Sequence, residues 1–214
     1  LKNNLDYVIG GDWGSEEMSE HNKMLVRCIR GADMPNIKLF SNSIPPERYL
    51  KESSYKKRVL QENDLVIEIS GGSPTQSTGR TVLIKKEFLE MQNHSVVCSN
   101  FCKLLRTEKY LSTYVYYFIQ HLYESDQLFQ FEKESTGIKN FDFEYFANEK
   151  NFVLPDKKLL IKFSDVINKI DSKRNLNLKE IINLRKLRKE IIPNLISGNL
   201  KIPNVEKLLQ EAGI

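Results

Sequence analysis

The sequence predicts an α+β domain built on a mixed sheet, followed by a long C-terminal helix that forms a coiled coil with a partner. Three observations lead there. Short runs rich in β-branched residues, such as Asp64-Leu65-Val66-Ile67-Glu68-Ile69, alternate with glycine-punctuated polar loops over the first part of the chain. After Pro155 there is neither proline nor glycine until Pro193. Within that stretch apolar residues recur in steps of three and four, which marks one face of a helix. At about 1.5 Å per residue, residues 159–192 would make a rod on the order of 50 Å long. A domain of about 150 residues is too small to cover it. The expected division is a globular domain over residues 1–155 and a helical region over residues 156–214.

The elements follow in order. The turn-rich loop Gly10-Gly11-Asp12-Trp13-Gly14-Ser15 leads to a strand candidate over residues 24–30. Ile44-Pro45-Pro46 breaks any helix, and residues 48–61 read as a short helix or an irregular connection. Residues 64–69 read as a buried strand, residues 70–80 as a polar hairpin connection, and residues 81–84 as the return strand. Residues 95–98 form another strand candidate, which residues 100–106 extend into the sheet. Ser112 is expected to cap a helix whose apolar face carries Tyr114, Val115, Phe118, Ile119 and Leu122. Residues 151–155 look strand-like, Gly198 closes the long helix, and residues 205–212 suggest a short extra one. The helix seam runs through Leu160, Phe163, Ile167 and Ile170 and resumes at Ile181, Leu184 and Ile191. Arg174 and Asn177 interrupt it where a coiled coil wants Leu or Ile. Such polar positions cost stability but fix register and partner choice.

Composition narrows the class. With 214 residues, 40% hydrophobic and 28% charged, the chain resembles an ordinary soluble protein with enough apolar mass for a core. No apolar run approaches the roughly 18 residues that cross a bilayer. No basic-then-apolar leader opens the chain, so secretion is not expected, and the start at Leu1 is read as a trimmed segment. Cys28, Cys98 and Cys102 are odd in number and form no CxxC pair, which fits buried thiols in a reducing cytoplasm. His94 lies near Cys98, but His21 and His121 do not complete a zinc spacing, so no metal is expected. The net charge is +4, and residues 156–192 carry eleven Lys or Arg against five Asp or Glu, leaving −2 for the rest. A basic helix is consistent with a nearby polyanion and equally with a solvated face.

Two loops could carry function. In residues 70–80 three glycines permit close backbone approach, and Ser73, Thr75, Gln76, Ser77, Thr78 and Arg80 supply polar contacts. Gln pairs bidentately with adenine, and Arg with guanine, in the major groove. The alternative is a plain hairpin connection; the GxxxxGK[ST] order of a P-loop is absent. In Ser135-Thr136-Gly137-Ile138-Lys139-Asn140, Thr136, Lys139 and Asn140 could position phosphates, or the segment is a capped turn before a strand. Trp13 either stacks on a ligand or packs. Asp64 and Glu68 share one strand face, as in a two-carboxylate nuclease site, but Ser70 stands where the lysine of such a site is expected. No methyl-donor loop, [DNS]PP[YF] motif or G-x-S-x-G elbow occurs, so the chain reads as non-catalytic.

Three stretches together resemble one half of a type I restriction-modification specificity (S) subunit. They are Asp64-Leu65-Val66-Ile67 with its glycine loop to Thr78-Gly79-Arg80, Ser135 to Phe141, and the Leu154-Pro155 exit into a helix containing Leu184-Arg185-Lys186-Leu187-Arg188-Lys189 and ending near Leu195-Ile196-Ser197-Gly198. The resemblance covers residues 64–200. It implies a target-recognition domain that reads one half of a split double-stranded DNA site, and helices that pair antiparallel to set the spacing. It also implies docking of methyltransferase (M) subunits, which bring S-adenosylmethionine, and of a restriction (R) subunit in some assemblies. The specificity subunit itself binds no cofactor and performs no catalysis. On that reading the DNA-binding candidates are Trp13, Arg30, Ser73, Gln76, Ser77, Thr78, Arg80, Thr136, Lys139 and Asn140. The chain departs from the family pattern in having one recognition domain and one helix. Three arrangements stay open: a half-size subunit that homodimerises, one half of a two-domain subunit, or the recognition end of a fused single-chain restriction enzyme. A metal-dependent nuclease using Asp64 and Glu68 is the rival expectation.

Overall fold

A computed structural model of the chain describes residues 1–39, 43–71, 76–135 and 138–199. Two compact units divide the chain, Leu1–Asn168 and Lys169–Ile214. The first is α+β. It opens with β1 (Tyr7–Gly10), β2 (Met24–Ile29), α1 (Met34–Lys38), β3 (Glu47–Leu50) and α2 (Glu52–Arg58). Next come β4 (Leu65–Glu68), β5 (Ser70–Gly71), β6 (Thr81–Leu83), α3 (Lys86–Glu90), β7 (Val96–Cys98) and β8 (Cys102–Arg106). Then follow α4 (Lys109–Glu124), β9 (Glu132–Ser135), β10 (Ile138–Phe141), α5 (Phe143–Glu149) and α6 (Lys157–Ile196).

Among the described residues the strands form three small sheets. The largest is antiparallel, in the order β1-β8-β4-β6, with Leu65 opposite both Leu105 of β8 and Leu83 of β6. Every residue of β4 is buried. Because side chains alternate across a strand, Leu65 and Ile67 enter one core, with Val115 and Ile119 of α4 and Phe146 of α5. Val66 enters a second core on the other face, with Met34 of α1 and Phe88 of α3. An uninterrupted apolar run is what a strand covered on both sides needs. The second sheet, β3-β2-β7, is mixed: β2 pairs antiparallel with β3 and parallel with β7, setting Ile29 beside Cys98. The third, β5-β10-β9, is antiparallel and joins residues 70–71 to residues 139–140.

The strand candidates at residues 24–30, 64–69, 81–84 and 95–98 are strands, and residues 100–106 supply β8. Other elements differ from expectation for identifiable reasons. Residues 48–61 contain both a strand and a helix, β3 and α2, because β3 pairs with β2 over four residues before the chain turns. Ser112 is not a cap. The helix begins at Lys109, and Ser112 lies fully buried one turn inside, its hydroxyl donating to the Lys109 carbonyl at 3.0 Å. Residues 151–155 form no strand. Their aromatic packs edge-on instead, Phe152 lying 5.0 Å from Phe118, while the Tyr114 hydroxyl donates to the Val153 carbonyl at 2.9 Å.

Asp142 caps α5 by accepting a hydrogen bond from the Tyr145 amide at 3.0 Å. Its bond with the Lys133 ammonium, first, and then this amide hold the carboxyl below the usual carboxylate range. A lowered carboxylate pKa contributes stability above the unfolded value, and the contribution is lost as pH falls through the folded value. Asp142→Ala is therefore expected to cost about 1 kcal/mol at neutral pH. Urea unfolding should show that deficit shrinking as the pH drops below the carboxylate range.

The first compact unit runs thirteen residues past the expected boundary at 155, to Asn168. Leu160 explains this. It is 2% exposed and belongs to the core that α4 and α5 build. Phe163 meets Tyr114 and Tyr117 edge-on at 6.2 and 5.8 Å, and the Ser164 hydroxyl lies 3.3 Å from that of Thr113. Leu160 thus packs within its own domain, while Phe163, in edge contact with α4, and Ile167 are half-buried. In the second unit the helix keeps the rest of the seam. Ile170, Ile181, Leu184 and Ile191 are 39–57% exposed, Asn177 is exposed, and Arg174 sits 3.4 Å from Asp171. The helix runs through Pro193 to Ile196. Gly198 then takes φ +72 and donates its amide to the Leu195 carbonyl, a left-handed closure that suits glycine. The short helix expected over residues 205–212 lies outside the described residues.

The three cysteines are free and buried. Burial pushes the Cys28 and Cys102 thiols up to about 12 and raises that of Cys98 as well, so all three stay protonated at neutral pH. No helix among the described residues is long and apolar enough to cross a membrane.

Candidate functional site

The three sheets bring several sequence-distant candidates to one cleft of about 560 Å³ in the first unit. Trp13, Arg30, Gly31, Glu68, Ser70 and Phe101 are among its lining residues.

Its floor is an ion pair. Glu68 ends β4, is 3% exposed, and accepts from Arg80 through both oxygens, Nε to Oε2 at 2.8 Å and Nη2 to Oε1 at 2.5 Å. These hydrogen bonds raise the Arg80 pKa above its ordinary value. Two glycines let the backbone close over the pair. A Cβ on Gly31 would collide with Glu68 Oε1 and lie 2.9 Å from Arg80 Nη2. Gly71, at φ +138, would place one 2.9 Å from the same carboxylate oxygen.

The walls are separately braced. The Trp13 loop is held by the Gly14 amide bonding to Asp12 Oδ1 at 3.0 Å and by a bridge between Ser15 and Tyr49. The Arg48 guanidinium covers the Trp13 ring at 3.9 Å from its centroid, a cation–π contact. Arg30 forms a forked pair with Asp33, from Nε and Nη2 at 3.0 Å each, and these bonds raise its pKa. Phe101 sits in the turn between β7 and β8. Its carbonyl accepts from the Ile69 and Ser70 amides at 2.8 and 3.2 Å, which staples the turn to the junction of β4 and β5. The Phe101 ring is 52% exposed.

At the border, β5 pairs with β10 so that Ser70 faces Asn140 and Gly71 faces Lys139. The Ser70 hydroxyl donates to Asn140 Oδ1 at 2.6 Å. Lys139 Nζ lies 3.3 Å from Glu132 Oε2 and over the Phe129 ring at 5.2 Å. The other Glu132 oxygen accepts from the Thr78 amide and hydroxyl at 2.5 and 2.9 Å. Glu132 therefore ties residues 78–80 to the β9–β10 pair.

Trp13 and Arg30 line the cleft, Arg80 lies beneath it, and Lys139 and Asn140 stand opposite the β5 residues that border it. Ser77 and Thr78 are buried, 4% and 0% exposed, and Thr78 spends its hydroxyl inside the protein. Gln76 is exposed. Ser73 and Thr136 lie outside the described residues. The rival carboxylates each have their own arginine. Asp64 is 1% exposed and accepts from Arg106 Nε and Nη2 at 2.6 and 2.7 Å, as Glu68 does from Arg80. A cation there would have to displace an arginine. Among the described residues no group of three His, Cys, Asp or Glu is placed to hold a metal ion.

Sequence reasoning missed Arg48, Gly31 and Phe101. Phe101 carried a weak signal, an aromatic in the polar turn Ser99-Asn100 between two strands. Arg48 and Gly31 carried none, because their partners Trp13 and Glu68 are brought to them only by sheet pairing. No family model matches this chain, and no curated protein matches it.

Proposed function

We propose that this chain is a sequence-specific DNA-recognition subunit of a type I restriction-modification system. It reads one half of a bipartite site, without catalysis of its own, and docks a methyltransferase subunit that carries S-adenosylmethionine. The observation that carries the reading is the division of the helix seam. Leu160 is consumed by the domain core and half-buried Phe163 rests edge-on against α4, while Ile170, Ile181, Leu184 and Ile191 remain at the surface of a basic helix. An apolar stripe left in water calls for a partner. A second copy or a second recognition half, paired antiparallel through it, would hold two readers at a fixed separation. The same residues serve if the chain is the recognition end of a fused enzyme.

The DNA face is assigned to the cleft and its border. Arg30, paired with Asp33 but half-exposed, offers a guanidinium there, and Gln76 is exposed. The forked pairing of Asp64 and Glu68 with arginines favours a structural role for both carboxylates over a nuclease site.

Two measurements test the reading. Selection from randomised duplexes, with and without the companion methyltransferase, should enrich a defined half-site, and affinity should fall steeply with salt. No enrichment in either arm overturns the proposal. Charged replacements at Ile170 and Leu184, Ile170→Glu with Leu184→Glu, should give monomers by light scattering. An unchanged dimer overturns the seam assignment.

A further inference from the structure

We propose that the cleft between Trp13 and Phe101 binds a single unstacked nucleobase with its phosphate. The inference deepens the DNA-recognition reading and rests on it for the source of the nucleotide.

The exposed lining of the cleft is mainly apolar, with polar groups at its edge, which suits the face of a flat ring. Aromatic side chains stand on its walls, the indole of Trp13 and the half-exposed ring of Phe101. Unstacked bases are held by such rings, because every base has a π face. Glu68 lies beneath the lining, almost fully buried, with each oxygen taking a hydrogen bond from Arg80, so the polar contacts to a base edge come from the rim. Exposed Asn100, in the lining, offers an amide that both donates and accepts.

The rim supplies the phosphate contact. Arg30 is fixed by Asp33 through Nε and Nη2, which leaves Nη1 uncommitted on a side chain 49% exposed. A guanidinium pre-set in this way loses little entropy on meeting a phosphate. The glycines at positions 31 and 71 keep the floor low, since a Cβ at either would press on the Glu68 carboxylate. A duplex base stays stacked and cannot enter. The ligand is therefore a nucleotide extruded from a helix or taken from a single strand.

The chain contains one tryptophan, so its emission reports from the cleft wall. The experiment titrates the whole chain with each of the four deoxynucleoside monophosphates and with a short single-stranded oligonucleotide. Saturable quenching is expected, and Phe101→Ala should weaken it about tenfold, in line with the worth of one stacked base. Asn100→Ala should weaken it too, with thermal unfolding unchanged for both variants because both side chains are exposed. Quenching that stays linear with concentration overturns the proposal, as does Phe101→Ala binding as tightly as the parent. The two readings fail separately. Selective duplex binding without nucleotide quenching removes the base pocket alone, and quenching without duplex selection removes the recognition-subunit reading alone.

Discussion

Replacing Glu68 with alanine is expected to lower the free energy of unfolding by about 3–5 kcal/mol, the cost of leaving a buried charge without its partner. Arg80, with 16% of its side chain exposed, would keep its charge beneath the cleft and lose both of its carboxylate bonds. Glu68→Gln should be milder, because the amide oxygen still accepts one of the two. The pair also shapes the cleft, so Glu68→Ala should abolish nucleotide quenching of Trp13 even under conditions where the variant remains folded. Denaturant unfolding of the two variants beside the parent checks the order. Equal stability of Glu68→Ala and the parent would mean that water reaches Arg80 freely.

The second large effect separates the two ends of the helix seam. Leu160→Ala is expected to destabilise the first unit by about 2–5 kcal/mol, the range for removing a buried leucine side chain. Its side chain is 2% exposed and sits in the core with residues such as Phe143 and Phe146. Leu184→Ala, 57% exposed before any partner binds, should change the unfolding of the isolated subunit by less than about 0.5 kcal/mol. Its effect should appear in association, as a weakened dimer in sedimentation. If both substitutions cost the same stability in dilute protein, the division of the seam is wrong.

The sheet scaffold was legible because its signal is local. Leu65-Val66-Ile67 is apolar without interruption, and a strand wedged between two cores has no reason to alternate. The long helix was legible from its spacing and its freedom from glycine and proline. What stayed hidden depends on pairing at a distance. Ser70 and Gly71 look like the start of a loop, and they become a strand only because Asn140 and Lys139 arrive beside them. Thr78 and Arg80 looked like readers because they are polar. Glu132 and Glu68, contributed by other strands, turn Thr78 inward and commit the Arg80 fork. The seam was read as one interface because helical spacing cannot say which residues a chain covers for itself. Tyr114 and Tyr117 of α4 decide that for Phe163.

The register between β5 and β10 also bears on synthesis. Ser70 and Gly71 gain their strand neighbours only after Asn140 has been made, about seventy residues later. Until then a nascent polypeptide emerging from the ribosome has Trp13 and Phe101 but an unfinished border beside them. A stalled or truncated product ending short of Phe141 would therefore display two aromatic rings and an unsealed strand edge, a natural substrate for chaperones and proteolytic quality control.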